Sequence, residues 1–121
     1  MKPVFTLLIF IFSLTGIRAY ADMPFAAPTT HAINVTASSN DGDRIILGWT
    51  NGNGARRIII ARKDAPVTAV PVNGIDYNAN ASFGSGFEIK PGEFVVFNNT
   101  TSTATVNSLQ AATRYYFAIF E

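Results

Sequence analysis

Leu109-Gln110-Ala111-Ala112-Thr113-Arg114-Tyr115-Tyr116-Phe117-Ala118-Ile119-Phe120-Glu121 decides the fold. A leucine stands six residues before a tyrosine, and from Tyr115 large apolar side chains recur at every second position: Tyr115, Phe117, Ile119. Period two belongs to a strand, whose successive side chains point to opposite faces. The pattern predicts a tyrosine corner. The ring packs in the core while its hydroxyl bonds back to the chain a few residues upstream, fixing how the strand enters the sheet.

Working outward from this corner, the rest of the chain reads the same way. Residues 31–38 alternate Ala32, Asn34, Thr36 against Ile33, Val35, Ala37, and predict a first strand. Asn40-Asp41-Gly42-Asp43 is a turn, since glycine accepts positive φ and Asn and Asp close such bends locally. Residues 44–50 put Ile45, Leu47 and Trp49 on one face, with Trp49 as the large anchor. After Asn51-Gly52-Asn53-Gly54, residues 56–62 carry Ile58-Ile59-Ile60, three β-branched residues that suit a central strand better than a helix. The stretch 64–91, with Pro66, Pro71, Gly74, Gly84, Gly86 and Pro91, is expected to be the longest irregular part. Short strands are predicted at 93–97 and 103–106, and the last at 115–120. Past the N-terminal segment no stretch repeats apolar residues at helical spacing, so the fold is expected to be all-β.

The N-terminus has another purpose. Met1-Lys2-Pro3, the apolar run from Val4 to Leu14 and Ala19-Tyr20-Ala21 form the three parts of a secretory signal peptide. The apolar run falls short of the roughly 20 residues that span a bilayer as a helix. Residues 1–21 are therefore read as a signal removed after Ala21, residues 22–28 as an extended lead, and residues 29–121 as one domain. The expected product is exported, secreted or at the cell surface, and not membrane-bound after cleavage. Losing Lys2 and Arg18 takes the basic residues from nine to seven against eight acidic ones. No clustered positive field remains for nucleic acid. Cysteine is absent, which excludes thiol catalysis, cysteine metal sites and disulfide staples.

Ile45, Leu47 and Trp49, the turn and Ile-rich strand that follow, and Val106, Leu109, Thr113, Tyr115, Phe117 and Ile119 together resemble a fibronectin type III domain, an immunoglobulin-like β-sandwich. Trp49 stands where that family has its second-strand tryptophan, Leu109 at the corner leucine and Tyr115 at the corner tyrosine. The stretches Trp49–Arg57, Pro71–Tyr77, Phe83–Gly86 and Phe94–Phe97 look like a bacterial subset found in large secreted or surface multidomain proteins. The resemblance covers nearly all of the chain from Pro28. It departs at Ala111 and Ala112, where the family usually has proline and glycine. It also implies seven strands, and the domain is expected to lack its last, beyond Phe120.

Chemistry-bearing residues are sparse. The single histidine, His31, stands in a stretch that supplies no carboxylate to orient it as a base. Asp41-Gly42-Asp43 lacks the further oxygen ligands of a calcium loop, and Asp64, Asp76, Glu88 and Glu93 form no acid–base pair by spacing. No cofactor or metal is expected, and the chain is read as non-enzymatic. The one segment suited to binding is 67–87, where Tyr77, Phe83 and Phe87 stand among Gly, Ser and Asn. They are contact candidates for a carbohydrate or protein ligand, although the same rings can tuck under the segment as a satellite core. The expected role is a non-catalytic extracellular module (spacer, adhesion or ligand binding) of a longer multidomain protein. Two alternatives are an accessory domain at the front of a secreted hydrolase and a subunit completed by strand addition from a partner.

Overall fold

A computed structural model of the protein describes residues 4–5, 27–39 and 41–121. The expected signal segment and its cleavage point after Ala21 lie outside the described residues, apart from Val4 and Phe5, as do residues 22–26 of the lead. The described residues are all-β: β1 (Val4–Phe5), β2 (Ile33–Ser38), β3 (Ile45–Thr50), β4 (Arg57–Lys63), β5 (Glu88–Lys90), β6 (Glu93–Asn99), β7 (Thr103–Val106) and β8 (Tyr115–Phe120). Two sheets face each other as a sandwich, one in the order β1-β8-β4-β6-β5 and the other β2-β3-β7. Pairing is antiparallel throughout except for β1, which runs parallel to β8 with Val4 opposite Ala118 and Phe5 opposite Ile119.

The inter-sheet core gathers Leu47, Trp49, Ile59, Ala61, Val96, Val106, Leu109, Tyr115, Phe117 and Ile119. Trp49 meets Phe97 edge-to-face at 5.4 Å between ring centroids, a geometry the ring quadrupoles favour. Its indole N–H donates to Asn51 Oδ1 at 2.9 Å, so the polar end of the ring is not left bare. The corner closes as its spacing implies. Gln110 N–H donates to the Tyr115 hydroxyl at 2.9 Å, and Leu109 is buried beside it.

The five-stranded sheet is buried on its other face as well. Ile60, Ala69, Tyr77, Val95, Ala118 and Phe120 form a second apolar cluster, with Ile58, Val67 and Ile89 packed against it. Along β4, Ile59 and Ala61 point between the sheets while Ile58 and Ile60 point outward beneath the 64–87 segment. Ala118 and Phe120 of β8 do the same. This double burial explains why β8 and the Ile58–Ala61 run of β4 are apolar at consecutive positions instead of alternating with polar residues.

Two local expectations are corrected. The first strand does not keep simple alternation. Ala32 is buried and Ile33 is 48% exposed, because the β2–β3 register slips between Ile33 and Thr36 and Asn34 takes φ +55°. Such a bulge re-aims the residues that follow it. The second correction lies inside 64–91, expected to be irregular throughout: β5 forms a hairpin with β6, its turn carried by Gly92 at φ +78°.

Candidate functional site

Residues 64–77 lie across the outer face of the five-stranded sheet, held there mainly by side chains. Residues 78–87 are tied main chain to main chain, with Asn80 N–H donating to Val95 O, Val95 N–H to Phe87 O, Phe83 N–H to Asn107 O and Asn107 N–H to Ala81 O. The main anchor is Glu93, the first residue of β6 and 1% exposed. Its Oε1 accepts the N–H groups of Thr68 at 2.7 Å and Ala69 at 2.8 Å. Its Oε2 accepts the Thr68 hydroxyl at 2.6 Å and Arg62 Nη1 at 3.1 Å. Burial alone raises the pKa of such a carboxyl. Here the hydrogen bonds from Thr68 Oγ1 and from the Ala69 and Thr68 N–H groups, with the Arg62 charge, outweigh it and bring the pKa below the ordinary glutamate value. Further along, Tyr77 Oη accepts Val72 N–H at 2.9 Å. Asn98 Nδ2 donates to Tyr77 O at 2.9 Å and to Asp76 Oδ1 at 3.0 Å, and Phe87 N–H donates to Asn78 O.

The three aromatic contact candidates part company. Tyr77 is buried in the outer cluster. Phe83 packs at the rim of the inter-sheet core, 5.1 Å from the Tyr115 ring and 5.3 Å from Phe94, both edge-to-face. Phe87 leans on Tyr77 at 5.3 Å and leaves about half of its surface to solvent, 48% exposed. On the same segment as Phe87 the sequence reading missed an aliphatic set: Val70, Val72 and Ile75 are more than half exposed. Four of the six exposed large hydrophobics among the described residues thus lie between positions 70 and 87. The available signal was Val70-Pro71-Val72 and Ile75, apolar residues in a Pro/Gly-rich stretch with no strand to bury them.

Two other features are open to solvent or sealed from it. Between β2 and β8 a shallow groove is lined by Val35, Ala37, Ile45, Leu47 and Phe117 with Ser38 and Ser39. At the far end of β8, Glu121 and Arg57 form a buried pair, with Arg57 Nε donating to Glu121 Oε1 at 3.1 Å. Gly52 N–H and Gly54 N–H also donate to that carboxylate, and the remaining Arg57 donors reach Thr100 O, Gly52 O and Gly54 O. Nothing in the Arg56-Arg57 dipeptide announces this. Period two along β4 does, because Arg57 shares its face with Ile59 and must bring a counter-charge inside.

Of the adjacent basic residues Arg56-Arg57 and Arg62-Lys63, the three arginines pair with acids of the same chain, Arg57 with Glu121, Arg62 with Glu93 and Arg56 with Asp76 at 3.3 Å. Lys63 Nζ donates to Gln110 Oε1. Asp41 pairs with Arg44 at 2.8 Å, and Glu88 Oε2 accepts Gly92 N–H. Among the described residues no three His, Asp or Glu side chains converge as metal ligands would. No family model matches the chain, and no curated protein matches it in sequence.

Proposed function

We propose that the protein is a non-catalytic, exported recognition module of fibronectin type III kind, binding a protein partner through Val70, Val72, Ile75 and Phe87. The observation that carries this reading is the concentration of exposed apolar side chains on one anchored segment. Exposed apolar groups gathered in one place mark contact sites, whereas scattered ones need no explanation. Carbohydrate binding is the weaker variant, because stacking on a sugar needs open aromatic faces and, of the three aromatic candidates, Phe87 is the exposed one. Three aliphatic neighbours suit a protein side chain better.

Support for the fold type comes from the corner hydrogen bond and from the strand partition. Among the longer strands the first, second and fifth (β2, β3, β7) share one sheet, and the third and last (β4, β8) share the other, as in immunoglobulin-like sandwiches. Support for a non-catalytic role comes from the carboxylates, since Glu93, Glu121, Asp41, Asp76 and Glu88 each hold a group of their own chain. The test is to immobilise the chain and probe it with panels of exported proteins and of glycans. A protein ligand lost with Val72→Asp and with Phe87→Ala, at unchanged melting temperature, supports the proposal. Binding indifferent to both substitutions, or glycans bound in place of proteins, overturns it.

A second reading has its own observation. β1 adds to β8 in parallel, and the apolar groove between β2 and β8 runs beside that edge. A parallel neighbour cannot arrive through a tight hairpin, so this edge takes strands from distant segments or other chains. Concentration-dependent polymers dispersed by a matching strand peptide are the expected result in sedimentation. A monomer at high concentration sinks the reading.

A further inference from the structure

Three Asn-Gly dipeptides occur in the chain: Asn51-Gly52, Asn53-Gly54 and Asn73-Gly74. Such pairs carry a latent reaction, because the glycine nitrogen can attack the preceding amide carbon and no Cβ hinders the approach. The reaction needs that nitrogen to lose its proton to solvent and swing toward the side chain.

Two of the pairs are held fast. Gly52 N–H donates to Glu121 Oε2 at 2.9 Å and Gly54 N–H to Glu121 Oε1 at 3.1 Å. That carboxylate is itself buried and paired with Arg57. The asparagine side chains are held too. Asn51 Oδ1 accepts the Trp49 indole N–H, and Asn53 Oδ1 accepts the N–H groups of Thr29 and Thr30 at 3.0 and 3.1 Å.

The third pair differs on each count. Asn73 and Gly74 are the exposed central residues of a turn closed by one bond, Ile75 N–H to Val72 O at 3.2 Å. Gly74 has φ +87°, and nothing lies within 4 Å of where a Cβ would stand. Among the described residues neither the Asn73 side chain nor Gly74 N–H has a hydrogen-bond partner.

We propose that Asn73 is a spontaneous deamidation site set within the contact surface. Gly74 N bonds to Asn73 Cγ as its proton passes to solvent base, and the Cγ–N bond breaks as the side-chain nitrogen takes a proton back from solvent and leaves as ammonia. One water then opens the resulting succinimide at either carbonyl, giving aspartate or isoaspartate. The product places a carboxylate, and for isoaspartate an extra backbone carbon, between Val72 and Ile75. On the reading of that surface as a binding patch, ageing of Asn73 weakens the contact.

The test is to incubate the folded full chain at mildly alkaline pH and follow its tryptic peptides by mass. Asn73 falls in the peptide 64–114, since trypsin does not cut between Lys90 and Pro91, and Asn51 and Asn53 fall in 45–56; fragment masses within 64–114 assign the change to Asn73. Because exchange and reaction at a bonded N–H wait on local opening, conversion at Asn73 should outpace that in 45–56 by at least about tenfold. Urea should erase the difference, and Asn73→Ser should abolish the conversion at that position. Equal rates in the folded chain, faster conversion in 45–56, or a difference that survives urea overturns the proposal. These masses read the modification whether or not the surface binds anything. A ligand whose affinity falls with the deamidated fraction adds the functional consequence.

Discussion

The sandwich has two apolar layers, and they are closed in different ways. Between the sheets, strands from both sides interdigitate, and their backbone polar groups are satisfied by ladders before any side chain is counted. There the side-chain anchors sit at the ends of the strands, Gln110 N–H to Tyr115 Oη at one end of β8 and the buried Arg57–Glu121 pair at the other. On the outer face of the five-stranded sheet the cover is one irregular segment without a regular ladder. A buried carboxylate, a tyrosine hydroxyl and an asparagine amide hold its first part, and scattered main-chain bonds to Val95 and Asn107 hold the rest. A layer closed by strands depends on volume, and a layer closed by a loop depends on a few polar contacts. The second kind can carry exposed apolar groups on its outside, since a loop need not present a regular polar face.

Substitutions can break this contrast. The largest effect belongs to the inner layer: Phe117→Ala should cost about 3–5 kcal/mol through lost burial and the cavity left behind, read by urea denaturation. Glu93→Ala should come next, at about 3 kcal/mol, because it strands the buried Ala69 N–H, the part-buried Thr68 N–H and the Arg62 charge. Its hydrogen-exchange signature should be confined to 64–87, and global loss of protection would refute the idea of a separately anchored cover.

The same carboxylate gives a pH prediction. A pKa lower folded than unfolded means its stabilisation is full above the ordinary glutamate range. It is lost as pH falls through the depressed folded value. Acid titration of stability should therefore lose one component in Glu93→Gln, and identical profiles would contradict the assignment.

The two tyrosines offer a matched comparison. Tyr115→Phe should cost about 1–3 kcal/mol, since the bond lies against the inner core. Tyr77→Phe should cost less, about 1 kcal/mol or below, because the freed Val72 N–H sits beside an exposed residue and finds water. The smallest effect is a gain. Ala112 sits at φ +54°, where an alanine carries a penalty of about 1–2 kcal/mol, much of it offset on substitution by the roughly 0.5–1 kcal/mol of extra conformational entropy that glycine loses on folding. Ala112→Gly should raise the melting temperature slightly, and a drop would show that the corner's strain is relieved elsewhere.

Much of the inner layer was legible in advance. Period-two alternation names Leu47, Trp49, Tyr115, Phe117 and Ile119 as one-faced residues, and the leucine–tyrosine spacing implies the corner bond. The outer layer was not. An apolar run such as Ile58-Ile59-Ile60 says that both faces are covered without saying by what. The slip at Asn34 was invisible because a bulge leaves no mark on alternation until the partner strand is known. Ala112 was noticed only as a departure from a resembled pattern, and its positive φ explains why glycine would suit it.

What the sequence determined by itself was local: strand period, turn chemistry, an all-β composition and a corner built from residues six apart. What tertiary structure alone decided was pairing at long range. Glu93 meets Thr68 and Ala69, Arg57 meets Glu121, and Glu121 reaches back to Gly52 and Gly54. These contacts join residues that chain spacing does not relate, and only sheet order and register bring them within hydrogen-bond distance. The same geometry leaves Asn73-Gly74 open to water while it closes the other two Asn-Gly pairs, a distinction that three identical dipeptides cannot carry.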